Sequence, residues 1–185
     1  SLQGAALHIN AFNFPVWGML EKLAPTLLAG VPAIVKPATA TSYLTEAAFK
    51  VMIDSGVLPE GSVQLITGGV GDMFDHLGCQ DVVSFTGSAQ TAMKLQSHPV
   101  FAHESTRFIA ERDSLNGTIL GPDAQPGTPE FDLFIAEVVK EMTVKAGQKC
   151  TAIRRIFAPK THEQAVIEAL QDALGRIRIG DPRLK

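Results

Sequence analysis

A thiol and a carboxylate mark the places in this 185-residue chain where covalent chemistry could be done. Cys150 lies in Gly147-Gln148-Lys149-Cys150-Thr151, just beyond a helical pattern, and Glu111 lies upstream at the end of an apolar strand pattern. A thiolate is a nucleophile toward a carbonyl carbon, and a carboxylate within reach can take a proton from an attacking water. The competing state of Cys150 is a buried, inert cysteine, and that of Glu111 is a solvated charge at a strand end. Cys79, between Gly78 and Gln80, has no comparable neighbours and reads as a packing residue.

The elements that must position these groups alternate between strand and helix. Short apolar strands are expected at Ala6–Ile9, Ala33–Lys36, Val63–Ile66, Val82–Phe85, Arg107–Ala110 and Gly117–Leu120. Helical patterns run from Pro15 to about Leu28, from Ser42 to Ser55 and from Ala89 to Gln96, with a short helix ending at Leu77. Pro15 suits a first turn, and Gly30 and Gly56 suit helix ends. Strands apolar on both faces and joined by helical crossovers predict a parallel sheet covered on each side.

The composition then changes at Gly121 to Pro129, where three prolines and two glycines make a linker or an exposed loop. Beyond it, Phe131, Phe134, Ile135, Val138, Val139 and Met142 fall at helical spacing. Cys150 is expected on the loop after that helix, before a strand Ile153–Ala158 and a last helix Glu163–Arg176.

Composition bounds the partners. The chain is 45% hydrophobic with net charge −3, enough apolar content for a core and no run of Lys or Arg to hold a nucleic-acid backbone. Two cysteines make no disulfide framework and suit a reducing cytoplasm, and no His spacing suggests a metal. Residues 1–20 carry no charged side chain, but Asn10, Asn13, Pro15 and Gly18 interrupt the apolar run, which argues against a membrane span or signal peptide. A strand so near the start suggests that the chain begins inside a larger protein.

Asn13-Phe14-Pro15, Lys36-Pro37, Phe85-Thr86-Gly87-Ser88, Glu111 and Gly147-Gln148-Lys149-Cys150 occur in the order and rough spacing of the aldehyde dehydrogenase superfamily, which the chain resembles over nearly its whole length. Ala110 to Asn116 and Glu141 to Arg155 are similar to those members that act on CoA-linked semialdehydes in aromatic-acid degradation. The resemblance is first to the dehydrogenase domain of the bifunctional phenylacetate enzymes, which also carry an oxepin-CoA hydrolase, with the semialdehyde dehydrogenase of benzoate degradation as the alternative. The resemblance implies an α/β, Rossmann-like doubly wound parallel sheet. Residues 1–113 would be a dinucleotide-binding domain incomplete at its N-terminus, and 114–185 the first part of an α/β catalytic domain incomplete at its C-terminus.

It also implies roles. Cys150 would attack the aldehyde, with Lys149 favouring the thiolate; Glu111 would activate the water that hydrolyses the thioester; Asn13 would donate its amide to the oxyanion with the Cys150 N–H. Asn13 also suits a cap for the helix that Pro15 opens. Lys36, Pro37 and Thr39 would meet the adenosine ribose or its phosphate, and Thr86, Gly87, Ser88 and the following helix the pyrophosphate. NAD-using relatives commonly carry a glutamate where Thr39 stands, so its absence favours NADP, with NAD also accepted.

Arg112-Asp113-Ser114 replaces the family's usual Gly-Gly, and Ala92 stands where a glycine is common. Gly68-Gly69-Val70-Gly71 reads as a turn more than a phosphate loop. The parent enzyme is expected to be a homo-oligomer. Two alternatives stay open: a CoA-acylating member, which Glu111 disfavours, and a non-catalytic nucleotide-binding module.

Overall fold

The computed structural model describes residues 3–181 and 183, and the chain divides into two compact units, Ser1–Asp113 and Ser114–Lys185. The first is built on five strands: β1 (Ala6–Ile9), β2 (Ala33–Lys36), β3 (Val63–Leu65), β4 (Val82–Thr86) and β5 (Arg107–Glu111). Every neighbouring pair is parallel, in the order β3-β2-β1-β4-β5. The chain steps outward from β1 to β3, then returns to the other side of β1 for β4 and β5. That reversal makes a topological switch point at the carboxyl ends of β1 and β4, where open α/β sheets hold ligands.

The apolar strand runs fold this way because each pleated face is covered by a helix. Leu7, Ile9, Val83 and Phe85 point to one face and pack with Phe74, Ala92 and Val100. On the other face, Met19 and Leu23 of α1 (Trp17–Leu28) cover Ala33, Val35 and Val63. Each fully buried Leu, Val or Phe contributes roughly 1.5–3 kcal/mol. Expected coverage of both faces holds at β1, all four of whose residues are buried, but β5 alternates, leaving Ile109 60% exposed. At the opposite edge, Asp81 ties β1 to β4 by accepting from Ala5 N at 2.6 Å and Gly78 N at 2.7 Å.

Helices α2 (Ser42–Asp54) and α3 (Ala89–Gln96) fall where the periodicity places them. Three local expectations change. The helix after Gly71 is one 3-10 turn, Met73–His76, because four residues cannot sustain an α-helix after the left-handed Gly68 (φ 103°) and Gly71 (φ 53°). A four-residue helix, α4 (Val100–His103), is too short to show a period. Cys79 is exposed in the turn before β4 and packs in no core.

His8 is an unusual residue for a central strand. It is 2% exposed, its Nε2 lies 3.2 Å from Thr26 Oγ1, and its buried Nδ1 has no hydrogen-bond partner. Burial first and the charge of Lys22 second push its pKa down from 6.5 to about 4. A depressed pKa disfavours protonation of the folded state, so this contribution to stability is intact above pH 6.5 and is lost as pH falls toward 4. The loss approaches about 3 kcal/mol at the acid end. Urea midpoints measured from pH 7 to 4 should fall less steeply in His8→Gln than in the parent; parallel curves would remove His8 from the account.

The second unit pairs β6 (Asn116–Ile119) with β7 (Ile153–Phe157) in parallel. Phe131 and Ile135 of α5 (Pro129–Thr143) and Val166 of α6 (Glu163–Gly175) close a core with Leu120 and Ala124. Thr128 caps α5 by accepting from Phe131 N, and Glu130 and Asp132 in its first turn suit the helix dipole.

Candidate active site

Because all five strands of the first unit are parallel, their carboxyl ends form one edge, and most of the predicted site residues stand along it. Register pairs Ile9 with both Lys36 and Phe85, and Thr86 with Glu111. Glu111 is exposed, and its carbonyl accepts from Gly87 N at 3.1 Å, fixing the loop after β4. A Cβ on Gly87 would lie 2.6 Å from the Phe85 ring, so this turn requires glycine. Ala92, by contrast, is fully buried in the core, and a methyl is accommodated there.

Asn13 is half-buried in the turn between β1 and α1. It is not the helix cap: that position is Val16, which makes no side-chain cap bond, and α1 starts at Trp17. Lys36, also half-buried, donates to the Pro37 carbonyl at 3.1 Å, and burial pushes its pKa below the usual lysine value. Pro37 is buried and Thr39 is exposed at the start of a 3-10 turn, Thr39–Thr41. Ser88 caps α3, its Oγ accepting from Thr91 N at 3.2 Å. Asp113 accepts from Ala89 N at 2.9 Å, so the Arg112-Asp113-Ser114 departure places a carboxylate at the N-terminus of α3.

Lys22 was not apparent from the sequence. Its side chain is only 11% exposed, and its ammonium donates to Thr86 Oγ1 at 2.8 Å. The available signal was its place on α1 four residues from both Gly18 and Thr26, a charge on an inward-facing stripe.

Cys150 belongs to the second unit and is exposed, which excludes a buried packing role. The chain reaches it through a left-handed run: Lys145 at φ 53°, Ala146 at φ 54° and Gly147 at φ 73°. Each non-glycine residue there costs about 1–2 kcal/mol, and such strain gathers at functional sites. Arg154 Nη2 holds the run by donating to the Gly147 carbonyl at 3.1 Å.

The Cys150 carbonyl accepts from Asn116 Nδ2 at 2.5 Å and from the Ser114 hydroxyl, while Ala152 N donates to the Lys149 carbonyl at 2.9 Å, closing a tight turn around the cysteine. Lys149 does not act as a bare cation. Its Nζ lies 2.9 and 3.1 Å from the two oxygens of Glu141, which also accepts from Thr151 Oγ1 at 2.8 Å. Hydrogen bonds from Lys149 and then Thr151 hold the Glu141 carboxyl below its ordinary value. Among the described residues no group of three or more His, Cys, Asp or Glu could hold a metal, and no helix is long and apolar enough to cross a membrane.

A parallel sheet in the order β3-β2-β1-β4-β5 with helices on both faces gives the first unit a doubly wound, Rossmann-like α/β fold. The family model for the aldehyde dehydrogenase family matches residues 3–185, and the chain belongs to that family.

Among curated relatives, it is 53% identical over 182 residues to a 3,4-dehydroadipyl-CoA semialdehyde dehydrogenase of Aromatoleum evansii, covering 98% of this chain and 35% of that protein. It is 26% identical to a D-glyceraldehyde dehydrogenase (NADP(+)) of Picrophilus torridus, covering 97% of this chain and 35% of the relative. Betaine aldehyde dehydrogenase of Staphylococcus aureus, solved with NAD+, superposes with a TM-score of 0.84 at 27% identity, over 96% of this chain and 34% of that one. Aldehyde dehydrogenase C of Pseudomonas syringae, solved as a mutant with NAD+ and octanal, gives 0.85 at 25% identity over 98% and 36%. The chain thus spans about a third of the length of the curated relatives it matches.

Proposed function

We propose that the enzyme carrying this chain oxidises the aldehyde of a CoA-linked semialdehyde to a carboxylic acid, with NADP as the preferred coenzyme. The observation that carries the substrate class is the 53% identity to the Aromatoleum evansii enzyme, whose name specifies 3,4-dehydroadipyl-CoA semialdehyde. That similarity favours the benzoate-type substrate over the phenylacetate-type one. Ser1–Asp113 then serves as the coenzyme-binding part and Ser114–Lys185 as the opening of the catalytic domain.

In this reading the Cys150 thiolate adds to the aldehyde carbon, and the Asn13 amide steadies the oxyanion of the resulting thiohemiacetal. The coenzyme, when bound, supplies the hydride acceptor. Loss of the hydride leaves a thioester on Cys150. Glu111 takes a proton from water as it attacks that thioester, and the thiolate departs, regenerating Cys150. A retained base at Glu111 favours hydrolysis over transfer to a second thiol.

The residues fit a phosphorylated coenzyme. Lys36 is a partly desolvated ammonium that donates to the neutral Pro37 carbonyl, and an anion would compensate its burial. Thr39 places no carboxylate where a 2′-phosphate would be repelled. The intact enzyme should therefore turn over 3,4-dehydroadipyl-CoA semialdehyde with a kcat/KM for NADP above that for NAD. Thr39→Glu should lower the NADP value by about 10- to 100-fold and spare NAD. A parent enzyme that prefers NAD, or a variant unchanged with NADP, would overturn the coenzyme assignment; inactivity with the thioester-linked aldehyde would overturn the substrate class.

A further inference from the structure

We propose that Glu141 is a positioning residue for Cys150, clamping the residues on both sides of the thiol and cancelling the charge of Lys149. The pair, rather than Lys149 alone, then sets the field at the sulfur; the inference rests on Cys150 being the nucleophile. Contacts from α5 and from β6 converge on this tripeptide. Glu141, near the end of α5, receives Lys149 Nζ at 2.9 Å and Thr151 Oγ1 at 2.8 Å, although these partners lie eight and ten residues further along the chain. The left-handed excursion at Lys145 to Gly147 is what turns the chain back to make both contacts.

From β6, Asn116 holds the carbonyl of Cys150 itself at 2.5 Å. The cysteine is thus gripped through its own carbonyl and through both neighbours while it stays exposed.

The electrostatic consequence follows from covalent reach. Lys149 adjoins Cys150 in the chain and adjacent Cα atoms are about 3.8 Å apart, so covalent geometry keeps the Lys149–Glu141 pair at a distance from the thiol on the order of one Debye length, about 10 Å. Removing one member leaves a net charge of the other's sign beside Cys150. The side chains are only 29% and 20% exposed, so solvent screens that charge incompletely. Lys140 lies nearby but is occupied by Glu137 at 3.0 Å.

The test is the rate at which iodoacetamide alkylates Cys150 in the intact enzyme at pH 7, read by mass spectrometry of the Cys150 peptide, with the exposed Cys79 as internal reference. Glu141→Gln leaves an unpaired ammonium and should accelerate alkylation by about threefold or more; Lys149→Met leaves an unpaired carboxylate and should slow it by a similar factor. The double variant should return to within about twofold of the parent. Glu141→Ala, which also releases Thr151, should lower kcat about tenfold with little change in KM. Equal rates in all four alkylated proteins, single effects of the same sign, or a rise shared by Cys79 would overturn the proposal. Survival of activity in Cys150→Ala would instead overturn the nucleophile assignment, and the opposite-sign alkylation pattern would stand apart from it.

Discussion

Cys150→Ala is expected to reduce aldehyde oxidation by the intact enzyme by about 10⁴-fold or more, while binding of the coenzyme, measured by fluorescence titration, stays within about twofold of the parent. The size of the loss follows from covalent catalysis: without a thiol no thiohemiacetal forms, and no other group in the Cys150 turn can replace it. The sparing of coenzyme affinity follows from the division of labour proposed above. The expected coenzyme contacts, Lys36, Thr86 and Ser88, belong to the first unit, whereas the Cys150 turn is held by Glu141, Ser114 and Asn116 of the second. Cys79→Ala should leave the rate unchanged, since Cys79 is exposed in a turn before β4 with no base or oxyanion donor assigned to it. Activity retained in Cys150→Ala and lost in Cys79→Ala would reverse the assignment.

The second large effect concerns Glu111. Glu111→Gln keeps the shape of the side chain and the carbonyl bond to Gly87 N, but removes the carboxylate proposed to activate water. Steady-state turnover should fall by about 10²- to 10⁴-fold, the span of general base catalysis. Rapid mixing should still show a burst of reduced coenzyme close to one equivalent per site, because acylation of Cys150 precedes the step that needs Glu111. A variant that loses the burst together with turnover would move Glu111 to the acylation step; one that keeps full turnover would leave it without a role.

What the sequence revealed and what it hid have physical reasons. The βα alternation was legible because Ala33-Ile34-Val35-Lys36 and its counterparts are short, largely apolar runs, several of them closed by Gly or Pro, and a buried parallel strand leaves that signature. The edge carrying Lys36, Thr86 and Glu111 followed from the same pattern, since parallel strands must end on one side. The short helix expected before Leu77 is a 3-10 turn, Met73–His76, and the helix Val100–His103 was hidden, because four residues complete only about one turn and show no period.

Contacts made across long separations were hidden as well. Lys22 finds Thr86 across 64 positions, and only the packing of α1 on the sheet brings them together. Glu141 drew no role of its own from the sequence; its partners return to it through left-handed Lys145 and Ala146, residue types that give no warning of that conformation. Asp113 was visible as a departure from the family pattern, but its bond to Ala89 N required the folded first unit.

The most direct test of the whole account is the mass of the Cys150 peptide after Glu111→Gln enzyme is mixed with NADP and a medium-chain aldehyde and then quenched in acid. This peptide alone is expected to gain the acyl mass, at close to one group per site, and only when the coenzyme is present. An unmodified Cys150 alongside continued formation of reduced coenzyme, or the acyl group found on Cys79, would contradict it.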